Sequence, residues 1–159
     1  MNFVRVDCNI LKDTLITHCM QFQSKLTGLL NMNGLQELSM IFDLFKKSKE
    51  TLATLPNDLE DLSSKIALSK ELKEQMASLQ LKFTPIRDVY TTLSKFDVAI
   101  KDEERNMVNS LDEAFGEHVK MISDAEKLLD KSKINMKKEL EAQMETHAAL
   151  MGDLHKVIN

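Results

Sequence analysis

Tryptophan is missing from this 159-residue chain, tyrosine occurs once, and aromatic residues make up only 5%. There are two prolines, four glycines and two cysteines. So few aromatics and breakers, beside abundant Leu, Lys and Glu, disfavour a compact α/β enzyme and fit an extended helical protein. No apolar run approaches the roughly 20 residues that a bilayer-spanning helix needs. The first residues, Met1 to Asp7, lack the apolar centre of a secretion signal, which Asp7 interrupts. A cytoplasmic setting is the default expectation. Charges of both signs are interleaved, with a formal net charge of -4 and no basic block. That pattern argues against nucleic acid as a partner.

Cofactor and catalytic chemistry lack their usual carriers as well. None of Gly28, Gly34, Gly116 and Gly152 begins a phosphate-binding Gly-x-x-x-x-Gly-Lys loop. Neither His-Glu-x-x-His nor Cys-x-x-Cys occurs. His147 and His155 share roughly one helix face but stand about 12 Å apart along it, too far for one metal ion. His18 and His118 fall on apolar seams and read as partly buried packing histidines, with a pH-responsive role as the sharper alternative. Cys8 and Cys19, if on one helix, lie about 16 Å apart. A bridge needs Cα atoms within about 7 Å, so both are expected to be reduced and packed like small hydrophobes. The carboxylate clusters Glu103-Glu104, Asp112-Glu113 and Glu139-Glu141-Glu145 read as solvated helix faces, with pairs such as Glu141 and Lys137 or Lys138. The sequence therefore assigns no catalytic, no cofactor-binding and no metal-ligating residue, and no cofactor or small-molecule substrate.

What the chain does have is apolar residues at steps of three and four, which place them on one side of a helix. A first helix is expected over 7–30 with Cys8, Leu11, Leu15, Phe22 and Leu29 in its seam, widened by Cys19 and Leu26. Asn31-Met32-Asn33-Gly34 reads as a turn. A second helix follows over 34–55, capped by Asn33 with Gln36 reaching back, its seam Leu35, Leu38, Phe42, Phe45 and Leu52. Pro56 stops it.

A third helix is expected over 58–95, capped by Asn57 with Glu60 at the matching position. Its seam begins Leu59, Leu62, Ile66, slips phase before Leu72 as a stammer, then runs Met76, Leu79, Phe83, Ile86, Tyr90, Leu93. At Thr84-Pro85 the helix either kinks or restarts, and the kept phase favours a kink near 85. Residues 97–101 connect to a fourth helix over 102–157, opened by Asp102, Glu103 and Glu104. Its seam is Val108, Leu111, Phe115, Ile122, Ala125, Leu129 and Met136, then, after a stutter, Leu140, Met144, His147, Met151, Leu154 and Ile158. Five methionines on or beside the seams (Met76, Met107, Met121, Met136, Met144) read as gap-fillers, with a docking groove as the alternative.

The fold class that follows is all-α: an elongated antiparallel helical bundle, coiled-coil-like, of about four helices. At roughly 80 Å the fourth helix outruns the third, at roughly 55 Å. Met144, Met151, Leu154 and Ile158 therefore need cover from the first helix, a second chain or further sequence. A segment of a longer helical protein, or an obligate oligomer, is the expectation.

The stretch Phe3-Val4-Arg5-Val6-Asp7-Cys8 with Leu11, Lys12 and Leu15 resembles the tail of axonemal dynein heavy chains. So do Asn33-Gly34-Leu35-Gln36-Glu37-Leu38 and Leu59-Glu60-Asp61-Leu62. The densest likeness runs from Phe83-Thr84-Pro85-Ile86-Arg87-Asp88 through Tyr90 and Leu93 to Phe96-Asp97-Val98. Glu103, Glu104 and Leu111 follow, then Asp124-Ala125-Glu126, Leu129, Lys131, Lys133 and Lys137. The likeness consists of scattered helix positions over nearly the whole chain and contains no catalytic signature. Phe22 and Phe115 stand where the family commonly has tryptophan, and Met136 where it has phenylalanine; each keeps a large apolar side chain.

The resemblance implies a non-catalytic stem segment just before the linker, joining motor to cargo or axoneme and transmitting force. Its implied partners are neighbouring helices of the same heavy chain, other heavy chains, and intermediate or light chains. Its implied place is the cytoskeleton of a cilium or flagellum. The family's nucleotide-binding modules have no counterpart here. A stand-alone coiled-coil adaptor that self-associates would share the same periodicity.

Overall fold

A computed structural model of the chain describes the backbone of residues 7–158 and the side chains of residues 7–151. Phe3 to Val6 of the first motif, and the side chains of Leu154, His155 and Ile158, lie outside the described residues. Among the described residues the fold is all-α, with α1 over Asn9–Ala53, α2 over Leu59–Lys95, α3 over Asp102–Asn109 and α4 over Leu111–Ile158.

Three boundaries differ from the sequence expectation. First, α1 runs unbroken through Asn31-Met32-Asn33-Gly34, where a turn separates the expected helices 7–30 and 34–55. Asn33 is therefore no cap. The reason lies in packing: a Cβ on Gly34 would stand 2.9 Å from Val89 Cγ1 and 3.5 Å from Tyr90 Cε2. The glycine permits a close approach of α1 to α2 and does not terminate a helix.

Second, α2 is capped one residue later than expected. Asp58 Oδ1 accepts from the Asp61 N–H at 2.7 Å, and Asp61 Oδ2 accepts from the Asn57 N–H at 3.0 Å. Asp58 and Asp61 thus do the reciprocal capping assigned above to Asn57 and Glu60. The helix continues through Pro85, so the restart at Thr84 is not adopted. Proline's missing N–H would have gone to the Leu81 carbonyl, and Leu81 sits at an exposed position where water can serve that oxygen. At its other end, Asp97 takes φ 52°, the left-handed conformation. Val98 N–H bonds Leu93 O at 3.2 Å and Asp97 N–H bonds Ser94 O at 3.3 Å. This is the six-to-one and five-to-two pairing of a Schellman cap, with aspartate where glycine is usual.

Third, the expected helix 102–157 is divided at Ser110 into α3 and α4. The Ser110 hydroxyl donates to the Met107 carbonyl at 3.3 Å, the acceptor a continuous helix would offer to Leu111 N–H.

The chain forms two compact units. One contains the chain through Phe42 together with Gln80–Leu111. Here α1 and α2 run antiparallel: Glu37 lies opposite Lys82, with Nζ and Oε2 3.3 Å apart, and Gly34 lies opposite Val89. α3 folds back along α2. The other unit contains Asp43–Leu79 and the chain from Asp112. There α4 runs antiparallel to α2, which pairs Lys73 with Glu126. Its core holds Leu52, Leu62, Leu72, Ile122, Ala125 and Leu129, flanked by Leu44, Leu68, Met76, Met121 and Met136. Each such leucine, once buried, contributes about 1.5–3 kcal/mol.

Burial traces three heptad seams. On α1 it is Thr27, Asn31, Gly34, Leu38, Ile41, Phe45, Ser48, Leu52. On α2 it is Leu62, Lys65, Ser69, Leu72, Met76, Leu79, Phe83, Ile86, Tyr90, Leu93. Across α3 and α4 it is Glu104, Val108, Leu111, Phe115, His118, Ile122, Ala125, Leu129, Ser132, Met136. Each alternates three and four without interruption. The expected stammer at Ser69–Leu72 is absent, because Lys65 and Ser69 occupy the seam that Leu59 and Ile66 were expected to fill. Those two are exposed.

Candidate functional site

Within the seams, polar side chains are held by specific partners. Lys65 is a buried lysine whose three protons all have acceptors. Its Nζ lies 2.8 Å from both the Thr54 carbonyl and the Thr54 hydroxyl, and 3.2 Å from Asp61 Oδ2. It therefore ties the end of α1 to the first turn of α2. The Asn57 N–H, and after it the Lys65 ammonium, hold the Asp61 carboxyl below its ordinary range.

In the unit containing Gln80–Leu111, Tyr90 Oη donates to Glu104 Oε2 at 3.5 Å, both side chains being buried. Burial, and then the adjacent carboxylate, push the phenol up to about 12. Glu104 was expected on the solvated face of a first helical turn; it is the first member of the α3–α4 seam instead. Beside this pair, α2 and α3 border an open cleft of about 440 Å³ lined by Arg87, Thr91, Ser94, Ile100 and Arg105, among others.

In the other unit His118 is 4% exposed and its ring stacks on Phe45, centroids 4.4 Å apart. Its Nδ1 is 3.4 Å from Ser48 Oγ, and its Nε2 is buried without a partner. Burial lowers its pKa below the ordinary histidine value. The expectation of a packing histidine thus describes His118. It does not describe His18, which is exposed, and His147 is exposed too.

Cys8 and Cys19 are free but exposed, contrary to the expected packing, since no described residue covers that part of the chain. Among the described residues no group of three or more His, Cys, Asp or Glu could hold a metal ion, and no helix is long and apolar enough to cross a membrane. Lys137 and Glu141 do pair, at 3.6 Å. Of the methionines, Met76, Met121 and Met136 fill gaps beside the core, while Met144 is exposed.

The remaining feature is the apolar surface that no described residue covers. From Asp7 to Leu26 every residue is exposed, including Ile10, Leu11, Leu15, Ile16, Met20 and Phe22, the last at 68%. Leu11, Leu15, Phe22 and Leu29 form a stripe about 200° around α1 from Thr27 and Asn31, so it is a second face rather than the core seam continued. At the other end of the chain, every described residue after Met136 is exposed, Leu140, Met144, Leu150 and Met151 among them. The need for outside cover at Met144 and Met151 was legible in the sequence. The bareness of α1 before Thr27 was not.

Comparison with known proteins gives this helical arrangement a family. Residues 24–143 match the model of the dynein axonemal heavy chain 2/5/8 coiled-coil. The dynein-1-beta heavy chain of the flagellar inner arm I1 complex from Chlamydomonas reinhardtii is 30% identical over 146 residues, covering 92% of this chain and 3% of that protein. Dynein axonemal heavy chain 2 of Mus musculus is 29% identical over 137 residues, 86% of this chain and 3% of its own length. The dynein gamma chain of the flagellar outer arm from Chlamydomonas reinhardtii is 27% identical over 89 residues, 56% of this chain and 2% of its own. This chain thus spans only about 3% of the relatives it matches best in coverage. No solved structure matches it. With three uninterrupted heptad seams lying wholly inside the matched region, the chain belongs to the axonemal dynein heavy-chain family, in its coiled-coil region.

Proposed function

We propose that residues 1–159 are a single non-catalytic segment of a dynein heavy-chain tail, linking motor to cargo or axoneme and carrying force in microtubule-based ciliary movement. The observation that carries this reading is the family's coiled-coil match over residues 24–143, together with helices whose seams are filled by packing residues. A segment that transmits force needs stiff, laterally packed helices, and heptad seams provide them. Its partners are neighbouring helices of the same heavy chain, other heavy chains, or intermediate and light chains. They seat on the bare stretches of α1 before Thr27 and α4 after Met136. Its place is the axoneme of a cilium or flagellum.

The test is an immunoblot of whole-cell and ciliary extracts with an antibody against this segment. The expected result is a very large polypeptide enriched in axonemes. A cytosolic band near 18.2 kDa that is absent from cilia would replace this reading with a small self-associating coiled-coil adaptor.

A further inference from the structure

We propose that His118, Ser48 and Phe45 form an acid-released clasp between α1 and α4 in the unit containing Asp43–Leu79. The geometry fixes the protonation state. Ser48 has one hydroxyl proton, and its shortest bond, 2.7 Å, donates that proton to the Leu44 carbonyl. A second carbonyl, that of Phe45, lies 3.1 Å away and shares it. Ser48 Oγ therefore faces His118 Nδ1, at 3.4 Å, with a lone pair and no proton to give. Nδ1 is then the donor in this contact, and because Nε2 has no acceptor the site favours the neutral Nδ1–H tautomer, with a bare lone pair on Nε2.

That lone pair is buried and meets no donor. A neutral nitrogen tolerates this at modest cost, but a proton added there creates a buried N–H and a full positive charge with no acceptor. Among the described residues no carboxylate bonds this nitrogen. On α4 the charged neighbours are Glu117 and Lys120, on α1 Lys47 and Lys49, and on α2 Lys73 and Glu74, all at exposed positions beside the seams. Lys73 already pairs with Glu126. The imidazolium is accommodated only if the ring leaves its stack on Phe45 and reaches water, which separates α1 from α4 at this level.

The sign follows. A histidine whose folded pKa is lowered binds fewer protons when folded than when unfolded, so its contribution is full above about pH 6.5 and falls as pH drops below it. One such site can cost the folding equilibrium constant at most about tenfold between pH 7.5 and 5.5, the limit set by the unfolded value alone.

The clasp does not depend on the dynein reading; it rests on this one contact. Two measurements on the full chain test it. Long-range nitrogen–proton NMR should show His118 as the Nδ1–H tautomer at pH 7.5 and titrating below pH 6.5; an Nε2–H tautomer, or titration at or above pH 6.5, overturns the proposal. Urea melts at pH 7.5 and 5.5 should show a loss, about tenfold at most, in the parent chain and in a His147→Gln control, and its disappearance in His118→Leu. A loss of equal size in His118→Leu overturns it too. Should that variant misfold, the tautomer and titration of the unaltered protein decide alone.

Discussion

Tyr90 is the single tyrosine in a chain without tryptophan, so its ionisation can be read from near-ultraviolet absorbance without interference. An exposed phenol is about half ionised near pH 10. Here burial and the Glu104 carboxylate push it up to about 12. The phenolate signal should be nearly absent at pH 10.5 in the folded chain and should appear there on adding urea. Because the folded value is the higher, this pair's contribution is complete below pH 10 and is lost as pH rises towards 12. Glu104→Gln removes the like charge, so its midpoint should fall below that of the parent; an unchanged midpoint would mean that desolvation alone sets the shift. None of this was legible beforehand. Tyr90 was recognisable as a seam residue from its spacing, but Glu104 sits among three acids that look alike in sequence, and only the fold-back of α3 singles it out. His118 was legible as a seam histidine, whereas its tautomer depends on a proton that Ser48 has already spent on Leu44.

At the level of the helices, most apolar members of the seams were readable, Ile41 excepted, where Phe42 was expected, and most polar ones, His118 excepted, were not. Leu38, Phe45, Leu52, Leu62, Leu72 and Leu111 through Leu129 were found from spacing alone. Thr27, Asn31, Ser48, Lys65 and Ser69 were passed over, because hydrophobic periodicity has no means of placing a polar residue inside. The missing members made a continuous heptad look broken, which produced the false stammer before Leu72. Gly34 produced the false turn for a related reason: a glycine that ends a helix and one that admits a neighbour look the same in sequence.

Three of the helical glycines, Gly28, Gly34 and Gly116, differ in what an added side chain would meet. Gly28 and Gly116 have nothing within 4 Å of an added Cβ, whereas Gly34 would meet Val89 at 2.9 Å. Gly28→Ala and Gly116→Ala should each stabilise by about 0.5–1 kcal/mol, the helix-propensity gain. Gly34→Ala has the same local gain but must displace a stiff β-branched side chain, and overpacking costs about 1–3 kcal/mol. It should therefore be neutral to destabilising. Thermal melts of the three variants decide the matter, and a Gly34→Ala chain as stabilised as the other two would show that the close approach is easily relaxed.

For the molecule as a whole, the balance between covered and uncovered apolar surface carries the functional meaning. A chain with 29% charged residues carries none but His18 and Lys25 between Thr14 and Gln36, and in that interval Leu15, Ile16, Met20, Phe22, Leu26, Leu29 and Met32 are all exposed. A helix apolar on more than one face belongs inside an assembly. No described helix is long and apolar enough to cross a membrane. The proposed tail assembly would supply it, and the two roles can be separated by substitution. Leu15→Glu with Phe22→Glu touches no core seam, so the isolated chain should keep its melting behaviour, each change lying within about 0.5 kcal/mol of the parent. The same pair placed in the parent heavy chain should abolish its co-sedimentation with the rest of the dynein complex, because two carboxylates would be buried without partners at the docking face. Leu111→Asp should do the reverse in the isolated chain. Its side chain is fully buried, so the charge should destabilise the fold by several kcal/mol, about 3 or more. If Leu15→Glu with Phe22→Glu unfolds the isolated segment, α1 before Thr27 is part of the fold. If both stability and assembly survive, that face is not where the complex is held.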